Sequence, residues 1–111
     1  MFFLIAVIIA VGTPTPNPYR DGPTIYAQEC MSCHGDQGQG SGGVPNLSGN
    51  GGVTADNPDG VIAIVKHGKG SMPAFGDKLS DVEIAAVVSF IRTAWGNEGT
   101  SVGVYQVDAV H

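Results

Sequence analysis

Cys30 and Cys33 are the only cysteines in the chain, and His34 directly follows the second of them. Two thiols separated by two residues can add across the two vinyl groups of a haem, and the adjacent imidazole can then ligate the iron. Cys30-Met31-Ser32-Cys33-His34 therefore reads as an attachment site for one covalent haem c, with His34 presenting one ring nitrogen to the iron while the other seeks a backbone acceptor. Two other chemistries compete for this motif. A zinc site would need a further Cys or His pair, and only His67 and His111 remain. A thioredoxin-like dithiol would sit in an alternating βα pattern, which this chain lacks.

The elements that must position the motif are short. Asp21 or Thr24 is a candidate N-cap, Pro23 suits a first helical turn, and a helix over about 24 to 33 follows. Ile25, Tyr26 and Cys30 fall at spacings that predict one apolar face turned toward another helix. After His34 the run GDQGQGSGGVPNLSGNGG is glycine-rich, as a backbone passing close to a flat cofactor must be, and Val44, Pro45 and Leu47 supply apolar groups that need burial. Asn57-Pro58-Asp59 has the form of a helix start, and Gly68 is its stop after Lys66 and His67. Ser80-Asp81-Val82-Glu83 is a capping box opening a helix that runs to about Trp95 and ends at Gly96. Ile84, Val87, Val88, Ile91 and Trp95, with Phe90 beside them, make one broad apolar face. Residues 97–111 mix Val, Tyr and Gly, and read as an extended tail packed on the head or on a partner.

Upstream of the head, Met1 to Val11 is an almost unbroken apolar run. At ~1.5 Å per residue it covers about half of a ~30 Å hydrocarbon core. Residues 1–12 are expected to be a membrane anchor, as the end of a longer helix or a helix dipping into one leaflet. The alternative is a signal segment, although positive residues ahead of the apolar run are missing. Residues 13–23, with prolines at 14, 16, 18 and 23, read as a semi-rigid extended linker, and 24–96 as the globular domain.

Composition narrows the function. Ten Asp and Glu against five Lys and Arg give a formal charge of −5, which argues against nucleic acid or an anionic lipid surface as the main partner. Seventeen glycines in 111 residues leave a core that is marginal on its own, and a bound apolar macrocycle would complete it. No serine, histidine and acid set has a spacing that supports catalysis on a small-molecule substrate.

From Gly22 to Trp95 the chain resembles the class I monohaem c-type cytochromes, membrane-anchored type. The likeness rests on Gly22 eight residues before the first cysteine, Tyr26 four before it, the Val87, Phe90 and Ile91 positions, Pro45 and Leu47 two apart, and Met72-Pro73 ahead of the last helix. The resemblance implies a mostly α cytochrome c fold, three to four short helices around the haem with the N- and C-terminal helices crossing at Gly22 and Tyr26. It implies that the Pro45 carbonyl accepts the His34 N–H, that Leu47 packs on the haem, and that Met72 is the sixth iron ligand beside His34. His67 is the rival for that position, but at a helix C-terminus its charge is favourable without a further role.

With His34 and Met72 on the iron no site stays open for oxygen or peroxide, and one-electron transfer remains. The expectation is a tethered electron carrier on the periplasmic side, a subunit of or donor to a respiratory or photosynthetic complex, whose partners are other redox subunits and the membrane. A freely diffusing periplasmic carrier with a cleaved signal is one alternative, and a haem-based gas sensor or peroxidase-like protein with an open distal site is another. Lys66, Lys69 and Lys78, the only lysines, cluster around Met72 and are expected to form a basic rim for an acidic redox partner.

Overall fold

A computed structural model describes residues 19–111. The expected anchor and residues 13–18 of the linker lie outside the described residues. Among the described residues no helix is long and apolar enough to cross a membrane.

The fold is mostly α, without a sheet among the described residues. The first helical body is continuous but made of three segments: α1 (Gly22–Ile25), a π-type turn (Tyr26–Cys30) and α2 (Met31–His34). Asp21 is its N-cap, its side chain accepting the Thr24 N–H at 2.9 Å. Pro23 sits in the first turn, where its missing N–H costs nothing. The helix thus starts inside the stretch assigned from sequence to the linker.

The π turn also corrects the expected helix. The Met31 N–H reaches back five residues to the Tyr26 carbonyl, placing an extra residue in the turn. Ile25 and Tyr26 are buried in the core, and Cys30 packs against that core while also lining a cavity.

Two further helices follow. Helix α3 (Asp59–His67) starts beside Asn57, whose side chain accepts the Asp59 N–H at 2.9 Å, and ends at Gly68 in a left-handed conformation, φ 78°. Helix α4 (Asp81–Thr93) opens with the capping box: the Ser80 hydroxyl accepts the Glu83 N–H and the Glu83 carboxylate accepts the Ser80 N–H, both at 3.1 Å.

The first body crosses α4 where Gly22 meets Ala86 and Phe90. A Cβ on Gly22 would lie 2.5 Å from the Ala86 carbonyl oxygen and 2.8 Å from Phe90 Cβ, so only glycine permits this approach. Behind the crossing, the rings of Tyr26, Phe90 and Trp95 pack with centroids 5.0 to 5.6 Å apart, and each such pair adds ~0.5–1.5 kcal/mol beyond its buried area.

The C-terminal segment is not an extended tail. Val104–Ala109 forms a short helix, α5. Val102 and Val107 are buried, and Ser89 Oγ of α4 accepts the Val102 N–H at 2.8 Å. A helix this short is unstable alone, so packing on α3 and α4 overrides the strand-like composition.

Candidate functional site

An apolar cavity of about 870 Å³ opens beside the first helical body, near the upper end of the range for small-molecule and cofactor sites. Val53, Val61, Val65, Phe75, Leu79 and Ile91 contribute to its wall. The same cavity is lined by Cys30, Cys33 and His34 from the motif, by Pro45 and Leu47 from the glycine-rich loop, and by Met72 from the loop between α3 and α4. The structure thus brings all six sequence-derived site residues to one space. His67 is exposed and lines a separate hollow with Lys66, Ala74, Gly76 and Asp77.

On the motif side, α2 carries His34 into the interior, where 8% of its surface remains exposed. His34 Nδ1 lies 3.1 Å from the Pro45 carbonyl oxygen. A carbonyl only accepts, so Nδ1 carries the proton and Nε2 is left with a free lone pair. The Gly40 N–H, at 2.7 Å, donates to the His34 carbonyl and starts the return of the loop. Cys30 is half-buried and Cys33 exposed, and burial pushes the Cys30 thiol up to about 11. The Tyr26 hydroxyl donates to the Gly35 carbonyl at 2.6 Å, fixing the residue after the motif. Burial, with Cys30 and Asp36 nearby, pushes Tyr26 up to about 12, so it stays a neutral donor.

Three supports of this side escaped the sequence reading. Asn97 donates from Nδ2 to the Leu47 and Ile91 carbonyls at 3.0 and 2.8 Å and accepts the Gly49 N–H at 2.9 Å. It thereby sutures the Leu47 loop to the end of α4. Gly38 accepts the Leu47 N–H at 2.6 Å, and a Cβ there would fall 2.5 Å from the Trp95 ring, so that ring rests directly on the loop backbone. Arg92, 1% exposed, donates to the Val53, Ala55 and Thr100 carbonyls at 2.9, 2.7 and 2.8 Å. A readable signal existed for it: Ile84, Val88 and Arg92 recur every four residues, putting a charge in line with the apolar stripe.

On the other side, Lys69 and Met72 exchange two backbone hydrogen bonds of 3.1 and 2.9 Å, closing a tight turn around Gly70 and Ser71. Phe75 and Gly76 donate to the Val65 and Lys66 carbonyls at 2.9 and 3.0 Å, tying the loop to the end of α3. The three lysines do not act as one rim. Lys69 lines the cavity mouth and Lys78 lies 5.4 Å from the Phe75 ring centre, whereas Lys66 turns away to bond α5.

The pattern of residues 17–91 matches the family described as cytochrome c oxidase, cbb3-type, subunit III. The chain belongs to this family of c-type cytochromes. It is 36% identical over 89 residues to the cytochrome c subunit of the quinone alcohol dehydrogenase of Gluconacetobacter polyoxogenes, covering 69% of this chain and 19% of that subunit. It therefore spans about a fifth of the length of that relative. It is 37% identical over 73 residues to cytochrome c6 of Leptolyngbya boryana, covering 63% of this chain and 85% of that protein. The fold matches the solved KustC0563 c-type cytochrome with a TM-score of 0.56 at 27% identity, over 66% of this chain and 95% of the other. The described domain is thus a c-type cytochrome domain, homologous to cytochrome subunits of oxidoreductase complexes, with cysteines consistent with CxxCH haem attachment.

Proposed function

We propose that the cytochrome carries one haem c through Cys30 and Cys33, ligated by His34 and Met72, and relays single electrons within a membrane respiratory or photosynthetic complex. The observation that carries this reading is the single apolar cavity onto which Cys30, Cys33, His34 and Met72 all open. Haem c supplies a reversible one-electron couple, and a neutral, soft methionine ligand favours its reduced form. The chain does the rest. Pro45 fixes the His34 tautomer and ring orientation. The Val, Ile and Phe wall would shield the bound group from water, and Leu47 would pack against it from the motif side. The Lys69–Met72 turn holds the thioether sulfur at the cavity.

The test is the absorption spectrum of the oxidised holoprotein. A methionine–iron charge-transfer band is expected, lost in Met72→Leu together with a fall in midpoint potential. High-spin, CO-reactive iron in the unaltered protein would overturn the Met72 assignment and favour a sensor or peroxidase-like role. Met72→Leu conserves side-chain volume, and thermal unfolding of the same sample separates loss of the ligand from loss of the fold.

The proposal includes a tether. Residues 1–12 anchor the head on the periplasmic side, and the partners are neighbouring redox subunits of the kind the oxidase and dehydrogenase relatives represent. N-terminal sequencing of the mature protein checks it. Retention of residues 1–12 with recovery in the membrane fraction is expected, and a start after Gly12 in the soluble fraction would replace the tether with a cleaved signal.

A further inference from the structure

We propose that the C-terminal segment 100–111 is a clasp on the Met72 side of the cavity, with Lys66 as the positioning residue that joins the two. The clasp itself is independent of what Met72 binds, but its redox consequence rests on the reading of Met72 as an iron ligand.

Lys66 stands at the end of α3, where a lysine is ordinarily left to solvent. Here its ammonium donates to the Val107 carbonyl at 2.8 Å and to the Val110 carbonyl, both at the C-terminal end of α5. The Val107 carbonyl also accepts the Val110 N–H at 3.2 Å, and the Val110 carbonyl lies just past the helix, so the cation adds a donor to both and complements the negative end of the helix. The backbone carbonyls of Val65 and Lys66 hold the other end of the connection, accepting the Phe75 and Gly76 N–H groups just after Met72-Pro73. One turn of helix thus grips α5 through a side chain and the Met72 loop through its backbone.

The coupling runs both ways. Helix α5 has six residues, too few to persist without tertiary contacts. It forms because Val107 is fully buried, Ser89 holds Val102, and Lys66 closes its end. In return, its docking immobilises a flexible lysine stem and with it the last turn of α3. The stretch that matches the family pattern ends at residue 91, so Lys66 lies within it and residues 100–111 lie after it. The clasp also explains why the three lysines around Met72 do not make a common rim: one of them is structural.

The experiment uses holoprotein carrying Lys66→Met, a truncation after Gly103, and both together. Hydrogen exchange is read at the Phe75 and Gly76 amides, with Val88 in α4 as the internal reference. Lys66→Met should speed exchange at Phe75 and Gly76 about tenfold or more, in keeping with loss of charged hydrogen bonds, and leave Val88 unchanged. The truncation should do the same, and the double variant should add little, because both remove one interaction. The oxidised charge-transfer band should fade at a lower temperature in each variant than in the parent. Unchanged exchange in Lys66→Met, equal acceleration at Val88, or strictly additive effects would overturn the clasp. If the truncated protein does not fold, Lys66→Met alone decides between these outcomes. A parent protein without the charge-transfer band would defeat the Met72 reading while the exchange data still judge the clasp.

Discussion

The two sides of the cavity are held by different kinds of interaction. The motif side is sewn to distant sequence: Arg20 pairs with Glu29 and Glu83, both at 3.1 Å, Gly22 meets Ala86, Tyr26 packs on Trp95, and Asn97 binds both Leu47 and Gly49. The Met72 side hangs mainly on neighbouring backbone, the Lys69–Met72 pair and two bonds to the end of α3, with Lys66 as its link to the C-terminal segment. Elements with few long-range contacts open at lower free energy than elements in the core. A domain built this way keeps the Cys30–His34 motif rigid and leaves the Met72 loop as the part most easily opened.

The joint between the sides is Arg92, and breaking it should have the largest effect. Arg92→Met keeps most of the stem but leaves the Val53, Ala55 and Thr100 carbonyls without their donor. Of these residues only Val53 is buried, and its unpaired carbonyl costs ~1–3 kcal/mol; with the charged bonds to exposed Ala55 and Thr100 also lost, about 3 kcal/mol is expected in denaturant unfolding. Because the guanidinium ties the Val53 wall to the segment leading into α5, exchange should rise on both sides at once. A loss confined to one side would show that Arg92 does not join them.

Asn97→Ala should act on the motif side alone. It removes three hydrogen bonds that fix the Leu47–Gly49 loop, for a cost of about 2–3 kcal/mol. Exchange at the Leu47 and Gly49 amides should accelerate while Phe75 and Gly76 hold their rates. Equal loosening of Phe75 would mean that the two sides are one cooperative unit and that the contrast drawn above fails.

How much of this was legible in the sequence depended on whether a signal was local. The capping box at Ser80 and Glu83 and the glycine stop at Gly68 are complete within four residues and two residues, and the helices begin and end there. The crossing at Gly22 was readable by resemblance because a missing side chain has one common use, close approach. The π turn left no mark, since nothing in Tyr26-Ala27-Gln28-Glu29-Cys30 distinguishes an extra residue per turn from an α-helix. The C-terminal helix was misread because its Val and Tyr content favours strand, and docking of Val107 and Lys66 decides otherwise. A weak local clue existed, Gln106 three residues after Gly103, whose side chain accepts the Gly103 N–H at 2.8 Å. The roles of Asn97 and Lys66 were hidden because a polar residue after a helix and a lysine at a helix end both have ordinary solvated explanations.

The smallest expected effect separates the two sides by pH. Hydrogen bonds from the Ser80 backbone, with Arg20 close by, hold the Glu83 carboxyl below the usual carboxylate range, and the Thr24 hydroxyl together with its N–H does the same for Asp21. Glu29 and Glu83 hold Arg20 above its usual value, so Arg20 stays charged throughout. A carboxylate whose folded value is depressed adds stability that is present above its unfolded value and is lost as pH falls through the folded one. These groups fasten the start of the first helical body to the start of α4, whereas the bonds described for the Met72 loop involve backbone and Lys66 only. Acidification below about pH 4 should therefore loosen the Thr24, Ile25 and Glu83 amides first, with little change at Phe75 and Gly76. Glu83→Gln should remove most of that acid sensitivity and lower stability slightly at neutral pH, because it keeps an acceptor for the Ser80 N–H but loses the charge that Arg20 answers. Exchange profiles at pH 3.5 and 6 read the comparison directly, and an acid loosening that begins at Phe75 would reverse the order of the two sides.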